Sequence, residues 1–224
     1  ETVELQWEGH DGSVNSLDSH PNNNILVSAG YDKAARVWSV GGGGLIRTLK
    51  GHEFAVGCAR FNAEGSMIVS ASADDTVRVW STETGEEICV FKGHRGRVNS
   101  ACFAGEEGFG ISGGSDGTVR VWSTETGAEV RSIEGRGSEV TSIDIAEGND
   151  ILAAADADGE IRIIDWKAGK VTNTIKGLAG PIYSIHVNRD GSLLAVGGAD
   201  GTAAVFSVPK GEKTAVFRGH AGGV

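Results

Sequence analysis

The sequence predicts an all-β fold made of repeated four-stranded antiparallel sheets, and three observations support that prediction. Glycine occurs at positions 9, 51, 93, 135, 177 and 219, so that each step is 42 residues. Within each step, short apolar or β-branched runs alternate with turn residues and show no helical periodicity. Glycine accounts for 35 of the 224 residues, well above the usual ~7%. This composition indicates many tight turns.

Other columns of the repeat keep the same phase as these glycines. A branched aliphatic residue, an aspartate and a large apolar residue recur at the same spacing: Val14, Val56, Val98, Val140, Ile182, Val224; Asp32, Asp74, Asp116, Asp158, Asp200; Trp38, Trp80, Trp122, Ile164, Phe206. The chain therefore divides into five complete units, 9–50, 51–92, 93–134, 135–176 and 177–218. Residues 1–8 are expected to form the outer strand of a preceding unit, and residues 219–224 to start a sixth. We therefore expect this chain to be a window of a longer array.

Each unit is predicted to contain four strands, as the second unit illustrates. Its apolar runs cover residues 56–61, 67–72, 76–80 and 87–91. The intervening segments 62–65, 73–75 and 82–85 are rich in Asn, Asp, Thr and Gly, which supply positive φ and local side-chain hydrogen bonds. Each unit is thus an antiparallel meander with two apolar faces, which must pack on copies of itself, stacked linearly or arranged radially.

A 42-residue period with four strands is typical of radial blades, and at this point the sequence resembles the WD-repeat β-propeller family. The motifs that carry the resemblance are Gly-His at 9–10, 51–52, 93–94 and 219–220, Ser-Ala-Gly-Tyr-Asp at 28–32, and Arg-Val-Trp at 36–38, 78–80 and 120–122. The resemblance covers essentially the whole chain. One departure is that Ser39, Ser81, Ser123 and Ser207 replace the aspartate of the family's name, which only Asp165 retains.

A Ser, His, Asp and Trp set recurs in the first three units and could suggest a hydrolase triad. A nucleophilic site needs to occur once, whereas this set is repeated identically in His10, Ser28, Asp32, Trp38; His52, Ser70, Asp74, Trp80; and His94, Ser112, Asp116, Trp122. The resemblance implies a structural hydrogen-bonded chain from the loop histidine through aspartate and serine to the indole. In the fourth and fifth units His, Ser and Trp are lost together, as expected for a coupled polar network.

Composition and charge exclude several classes of function. The chain carries 20 basic and 30 acidic residues, a net charge of −10, which argues against direct contact with nucleic acid. Three cysteines without metal-ligand spacing indicate small buried hydrophobic residues in a reducing compartment. Acidic turns such as 156–160 lack the full ligand series of a calcium loop. We expect no cofactor, no metal, no membrane segment, and an intracellular location, cytoplasmic or nuclear.

The resemblance also implies where partners bind, namely on the face that carries the Gly-His loops and the turns between second and third strands. Two recognition columns hold Asn15, Gly57, Asn99, Thr141, Tyr183 and Tyr31, Ala73, Ser115, Ala157, Ala199. Large rings and loop arginines break the repeat symmetry there. The predicted partner-binding residues are Tyr31, Phe54, Tyr183, Asn15, Asn99, Arg95 and Arg97.

The sequence thus predicts a non-catalytic scaffold that binds a protein or peptide within a larger complex, with no small-molecule substrate. An alternative is an adaptor that reads phosphorylated motifs through Arg95, Arg97 and Arg136, although neither recognition column holds a basic residue. A propeller enzyme, a hydrolase or lyase, would need a unique cluster of acidic, His or metal-binding residues that breaks the symmetry on one face. The sequence shows no such cluster.

Overall fold

The computed structural model describes residues 9–104, 108–146 and 150–224, which form five four-stranded antiparallel sheets in chain order. The strands are β1 (Val14–Ser19), β2 (Ile25–Gly30), β3 (Ala34–Ser39), β4 (Gly44–Lys50); β5 (Val56–Phe61), β6 (Met67–Ser72), β7 (Val77–Ser81), β8 (Glu87–Phe91); β9 (Val98–Phe103), β10 (Phe109–Gly114), β11 (Val119–Ser123), β12 (Glu129–Ile133); β13 (Val140–Ile145), β14 (Ile151–Asp156), β15 (Glu160–Asp165), β16 (Lys170–Lys176); β17 (Ile182–Val187), β18 (Leu193–Gly198), β19 (Thr202–Ser207) and β20 (Glu212–Arg218).

The second sheet shows how closely the predicted strands match. Three of its four strands have the predicted bounds, and β7 covers Val77–Ser81 instead of residues 76–80. The turns contain the positive φ angles that the turn residues predict, at Gly65 (75°), Asp75 (67°) and Gly85 (76°). The four-stranded antiparallel repeat is therefore confirmed. The predicted outer strand in residues 1–8 lies outside the described residues.

The hydrophobic core consists of four clusters, and each joins two successive sheets. Between the first two sheets, for example, Val27, Val37 and Leu49 pack against Ile68 and Trp80. We call the side of a sheet that faces the next sheet its trailing face, and the opposite side its leading face. The other clusters join the second sheet to the third, the third to the fourth, and the fourth to the fifth. No cluster within the described residues joins the fifth sheet to the first, so closure into a propeller stays a prediction.

The first strands of successive sheets, β1, β5, β9, β13 and β17, lie side by side and surround a common cavity. Side chains of one first strand bond the backbone of the next. Asn15 Nδ2 donates to the Val56 carbonyl at 2.8 Å, and Asn99 Nδ2 donates to the Val140 carbonyl at 2.7 Å. These side chains give successive sheets a fixed register, in addition to the apolar contacts of the core.

Candidate functional site

The predicted polar network is present in full in the first two repeats. In the second, His52 Nδ1 lies 2.8 Å from an Asp74 carboxylate oxygen, and His52 Nε2 lies 2.8 Å from Ser70 Oγ. Because the carboxylate can only accept, Nδ1–H donates to it and Nε2 accepts the serine hydroxyl. Trp80 Nε1 then donates to Ser70 Oγ at 2.8 Å. These bonds connect the loop before the sheet to its second and third strands and to the turn between them, and the first repeat has the same bonds.

The third repeat departs from the prediction at Trp122. His94 still contacts Asp116 (3.0 Å) and Ser112 (2.8 Å), but the buried Nε1 of Trp122 makes no hydrogen bond within the described residues. The indole instead stacks on Phe91, with ring centroids 5.7 Å apart and an interplanar angle of 9°.

The cause of this difference is the residue that pairs with the tryptophan across the sheet. Trp38 and Trp80 pair with Leu26 and Ile68, whereas Trp122 pairs with Gly110. A Cβ on Gly110 would come within 2.3 Å of the Trp122 ring, so the indole occupies the space of the missing side chain. The four-membered network predicted for this repeat is therefore wrong at its last member.

The aspartates of these networks are held ionised, and His52 and His94 are held neutral. Burial opposes ionisation of Asp74, but hydrogen bonds from Thr76, a loop amide and His52 outweigh it and lower its carboxyl pKa to about 2. The pKa of Asp116 is about 2 for the same reasons. Burial lowers the pKa of the His52 and His94 imidazoles below 6.5, against the opposing effect of the aspartates. Neutral, buried imidazoles at the same position of the second and third repeats favour the structural role predicted for them.

The turn aspartate of the last two repeats also has a local role. In the fifth repeat Asp200 Oδ1 accepts a hydrogen bond from the Thr202 amide at 3.0 Å, as expected for a carboxylate in a tight turn. In the fourth repeat the accepting carboxylate is that of Asp156, which takes the amides of Asp158 and Glu160 at 3.0 and 2.9 Å. The column aspartate, Asp158, therefore contributes its amide to this turn, and a neighbouring carboxylate provides the acceptor.

The structure brings four of the predicted partner-binding residues to one cavity of about 210 Å³ on the face that carries the Gly-His loops. Asn15, Tyr31, Arg97 and Asn99 line it, and its remaining walls are Ala55, Gly57, Ala73 and Val98. Tyr31 and Arg97 are exposed at the rim. A small apolar space with a ring and a guanidinium beside it can accept one side chain of a partner.

The other predicted residues lie apart from this cavity. Phe54 is exposed, with Lys33 Nζ 5.8 Å from its ring centroid. Tyr183 lines the cavity of about 240 Å³ between the first strands, next to Asn15 and Asn99. Arg95 is exposed but lines neither cavity.

Two of the predicted recognition side chains also hold neighbouring sheets together. The amide groups of Asn15 and Asn99 donate to the next sheet, as described above, and Asn99 Nδ2 also lies 2.8 Å from Glu139 Oε1. Their hydrogen-bonding capacity toward a partner is therefore reduced. Tyr31 and Arg97 are the stronger candidates for direct contact.

A charged cluster that the sequence reading missed lies toward the other end of the first strands. One column of the repeat holds Asp18, Arg60, Cys102, Asp144 and His186, and all five line a cavity of about 360 Å³. Arg60 Nη1 donates to Asp144 Oδ1 at 2.7 Å, and His186 Nδ1 lies 2.9 Å from Asp144 Oδ2. The column does break the repeat symmetry, contrary to our expectation. Reading down the 42-residue column, instead of along each repeat, would have found it.

The described residues contain neither a group of metal ligands nor a membrane-spanning helix. Across the described ranges, no group of three His, Cys, Asp or Glu side chains is arranged to hold a metal ion. The same part of the chain contains no helix with the length and apolarity to cross a membrane.

Cys58, Cys89 and Cys102 are buried free thiols, and burial raises the pKa of Cys102 to about 12. Trp166 is buried against Phe109, with ring centroids 5.8 Å apart, and so is not an exposed contact.

Comparison with known proteins agrees with these features. The family model described as "WD domain, G-beta repeat" matches five times, over residues 2–39, 43–81, 85–123, 127–165 and 169–207. The chain is also similar to the WD repeat-containing protein AAC3 of Dictyostelium discoideum, at 46% identity over 50 residues. That match covers 22% of this chain and only 10% of the length of the Dictyostelium protein. From the second match on, each covers the last strand of one sheet and the first three strands of the next. The five matches cover most of the chain, and the chain belongs to the WD-repeat (WD40) family.

Proposed function

We propose that this chain is a non-catalytic scaffold that binds a peptide or loop of another protein on the face carrying the Gly-His loops. WD40 repeats generally mediate protein–protein interactions, and the family is generally non-enzymatic. The observation that carries the proposal is the cavity lined by Tyr31, Arg97 and the small residues Ala55, Gly57 and Ala73. Its volume of about 210 Å³ is below the ~300–1,000 Å³ typical of small-molecule sites and suits a single side chain.

The chemistry of the rim suggests how a partner binds there. An apolar side chain inserted between Ala55 and Val98 would be covered by the Tyr31 ring, which supplies a rigid contact at low entropic cost. Arg97 can donate to a carboxylate or to a backbone carbonyl of the same peptide. We place this activity inside the cell, in the cytoplasm or nucleus, where free cysteines remain reduced.

A displayed library of unmodified peptides, selected on the unchanged chain, tests the proposal. Selected peptides should bind the Tyr31→Ala/Arg97→Ala variant at least tenfold more weakly, because tyrosine and arginine dominate contact energies. Phe54→Ala should have a smaller effect, since its ring lies outside the cavity. The matched control is Val130→Ala/Leu193→Ala, which removes exposed apolar side chains elsewhere.

Two results would reject this binding site. One is equal binding of the selected peptides to the unchanged chain and to Tyr31→Ala/Arg97→Ala at unchanged stability. The other is that the unmodified library gives no binders, whereas a parallel library of phosphorylated peptides gives binders that Arg95→Ala no longer binds, which would favour the phosphorylated-motif adaptor.

A further inference from the structure

The cavity on the loop face exists because one position of the second sheet has no side chain. In the first, third and fourth sheets this column holds Asn15, Asn99 and Thr141, and each donates a side-chain hydrogen bond to a carbonyl of the next sheet. The second sheet has Gly57 there, so it has no side chain that could reach the corresponding carbonyl, that of Val98. Gly57 and Val98 both line the cavity of about 210 Å³. The cavity therefore takes the place of a side chain that the neighbouring sheets have.

Folding does not require glycine at this position. The φ angle of Gly57 lies outside the left-handed region, and a Cβ there would meet its nearest neighbour, the Asn99 carbonyl, at an ordinary 3.6 Å. The space is thus open in a part of the sheet that could hold a larger residue. This favours a role for the open space in binding a side chain of a partner.

The charges at the rim of this cavity are not balanced. Arg97 lines the cavity and is exposed, and Arg95 is exposed two residues earlier in the same loop. Within the described residues neither guanidinium has an ion pair or a hydrogen bond. The sheet arginines behave differently, because each pairs with a carboxylate: Arg36, Arg78 and Arg120. In a chain with a net charge of −10, this loop therefore presents two unpaired positive charges.

The size of the cavity sets the spacing that a bound peptide needs. Residues two apart in an extended peptide point the same way and are about 7 Å apart, which is roughly the width of a compact cavity of about 210 Å³. When one side chain fills the space beside Gly57, the side chain two positions away faces the rim. Arg97 lies at that rim and can pair with a carboxylate there.

We infer that this site selects peptides with an acidic residue two positions from their apolar anchor. The anchor fills the Gly57 cavity, Arg97 binds the carboxylate, and the charge of Arg95 attracts the same acidic segment. The inference rests on the proposed function, which supplies the peptide, and adds the chemistry by which the peptide is recognised.

A carboxylate fits this rim better than a phosphate group. Arg97 is the only guanidinium that lines the cavity among the described residues, and it balances one negative charge. The Glu139 carboxylate is close by, since its Oε1 lies 2.8 Å from the Asn99 Nδ2 at the cavity wall. A phosphate group carries nearly two negative charges at pH 7 and would meet stronger repulsion from Glu139.

Selection from a displayed library of random unmodified peptides tests the inference, with the unchanged chain and Arg97→Glu as targets. Peptides selected on the unchanged chain should be enriched at least threefold in Asp and Glu two positions from an apolar residue. Arg97→Glu should instead select Lys or Arg at that position, because the sign of the rim charge is reversed. Lys170→Glu makes the same change of charge on an exposed residue outside the cavity and should select the same peptides as the unchanged chain.

Gly57→Asn tests the cavity itself. The asparagine should fill the space, as Asn15 and Asn99 do in their own sheets. Binding of a selected peptide, measured by fluorescence anisotropy, should weaken at least tenfold, while stability in urea is kept. Unchanged binding by Gly57→Asn would overturn the insertion of the anchor into this cavity.

The remaining outcomes separate this inference from the proposed function. Selected peptides that depend on Tyr31 but show no acidic enrichment, or show the same enrichment on Arg97→Glu, would overturn the inference and leave the proposed function standing. A library that gives no binders would overturn both. A synthetic peptide in which phosphoserine replaces the acidic residue should bind no more tightly, and tenfold tighter binding would overturn the assignment to a carboxylate.

Discussion

The Asp144 carboxylate lies 2.7 Å from the Arg60 guanidinium, although 84 residues separate them. Arg60 belongs to the first strand of the second sheet and Asp144 to that of the fourth, so the ion pair bypasses the third sheet. Asp144 is almost buried, and its other oxygen accepts the Val187 amide at 2.8 Å. One carboxylate thus connects the second, fourth and fifth sheets.

This ion pair should contribute measurably to stability. A double-mutant cycle of Arg60→Met and Asp144→Asn should give a coupling of about 1–2 kcal/mol, because the carboxylate is shielded from water. The comparable cycle for Lys167 and Asp150, which are 3.0 Å apart but about half exposed, should give below about 0.5 kcal/mol. Urea unfolding measures both coupling energies. Equal values would contradict the prediction that burial makes the Arg60–Asp144 pair the more stabilising one.

The serines of the second and third repeats should differ in importance. Ser70→Ala leaves His52 Nε2 and Trp80 Nε1 without a partner and should cost about 2–3 kcal/mol. Ser112→Ala leaves only His94 Nε2 without a partner and should cost about 1 kcal/mol less, because Trp122 makes no bond to Ser112. The free energies of unfolding of the two variants decide this. A larger loss for Ser112→Ala would mean that Trp122 does bond the network.

The His52 bond should depend on the same serine. In the double variant His52→Ala/Ser70→Ala, the loss should be smaller than the sum of the two single losses, since both remove one shared bond. Strictly additive losses in urea unfolding would argue that the two residues do not belong to one network.

Gly110→Ala tests why the Trp122 indole differs from its counterparts. The added methyl group would overlap the ring, so we expect a loss of about 1–3 kcal/mol together with a changed near-ultraviolet circular dichroism signal. Gly57→Ala is the control, because a Cβ there meets its nearest neighbour at 3.6 Å. Both variants unchanged in stability would show that the ring has room to move away from Gly110.

Stability should fall with acid in two stages. The folded-state pKa of His52 and His94 is below 6.5, so the unfolded chain binds more protons and stability decreases as the pH falls below 6.5. The folded-state pKa of Asp74 and Asp116 is about 2 against an ordinary 3.8, so their contribution is present above about pH 4 and is lost toward pH 2.

Histidine replacement separates the two stages. His52→Gln/His94→Gln should flatten the curve of unfolding free energy just below pH 6.5 and leave the lower stage in place. His220→Gln, which changes an exposed histidine outside the networks, is the control. A lower stage that disappears together with the upper one would mean that the aspartates depend entirely on the histidines.

The sequence was sufficient to predict the strands, because a fixed 42-residue period aligns five independent copies of each turn and apolar run. The bonds of His52 with Asp74 and Ser70 were predicted from the resemblance to the WD-repeat family, and not from the repeat pattern alone. The prediction failed at Trp122 because the deciding residue, Gly110, belongs to a different column of the repeat. A single glycine among leucine and isoleucine counterparts was the available signal.

The inner charged cluster was missed for another reason. Arg60 and Asp144 are distant along the chain, and their contact depends on how sharply successive first strands turn about a common centre. A repeat pattern gives the contacts within a sheet and with its neighbour, but it does not give this curvature. For the same reason the pattern did not show that the side-chain amides of Asn15 and Asn99 would donate hydrogen bonds to the next sheet.

The bonds from one first strand to the next have a consequence for how the protein is made. Asn15 and Val56 are separated by 41 residues, as are Asn99 and Val140, so each sheet needs only the one synthesised just before it. A chain of this kind can assemble during translation, one docked sheet at a time, without waiting for its far end. The Arg60–Asp144 pair is different, because it forms only after the fourth sheet has left the ribosome. Its formation would then lock the middle of the growing array before the fifth sheet is added.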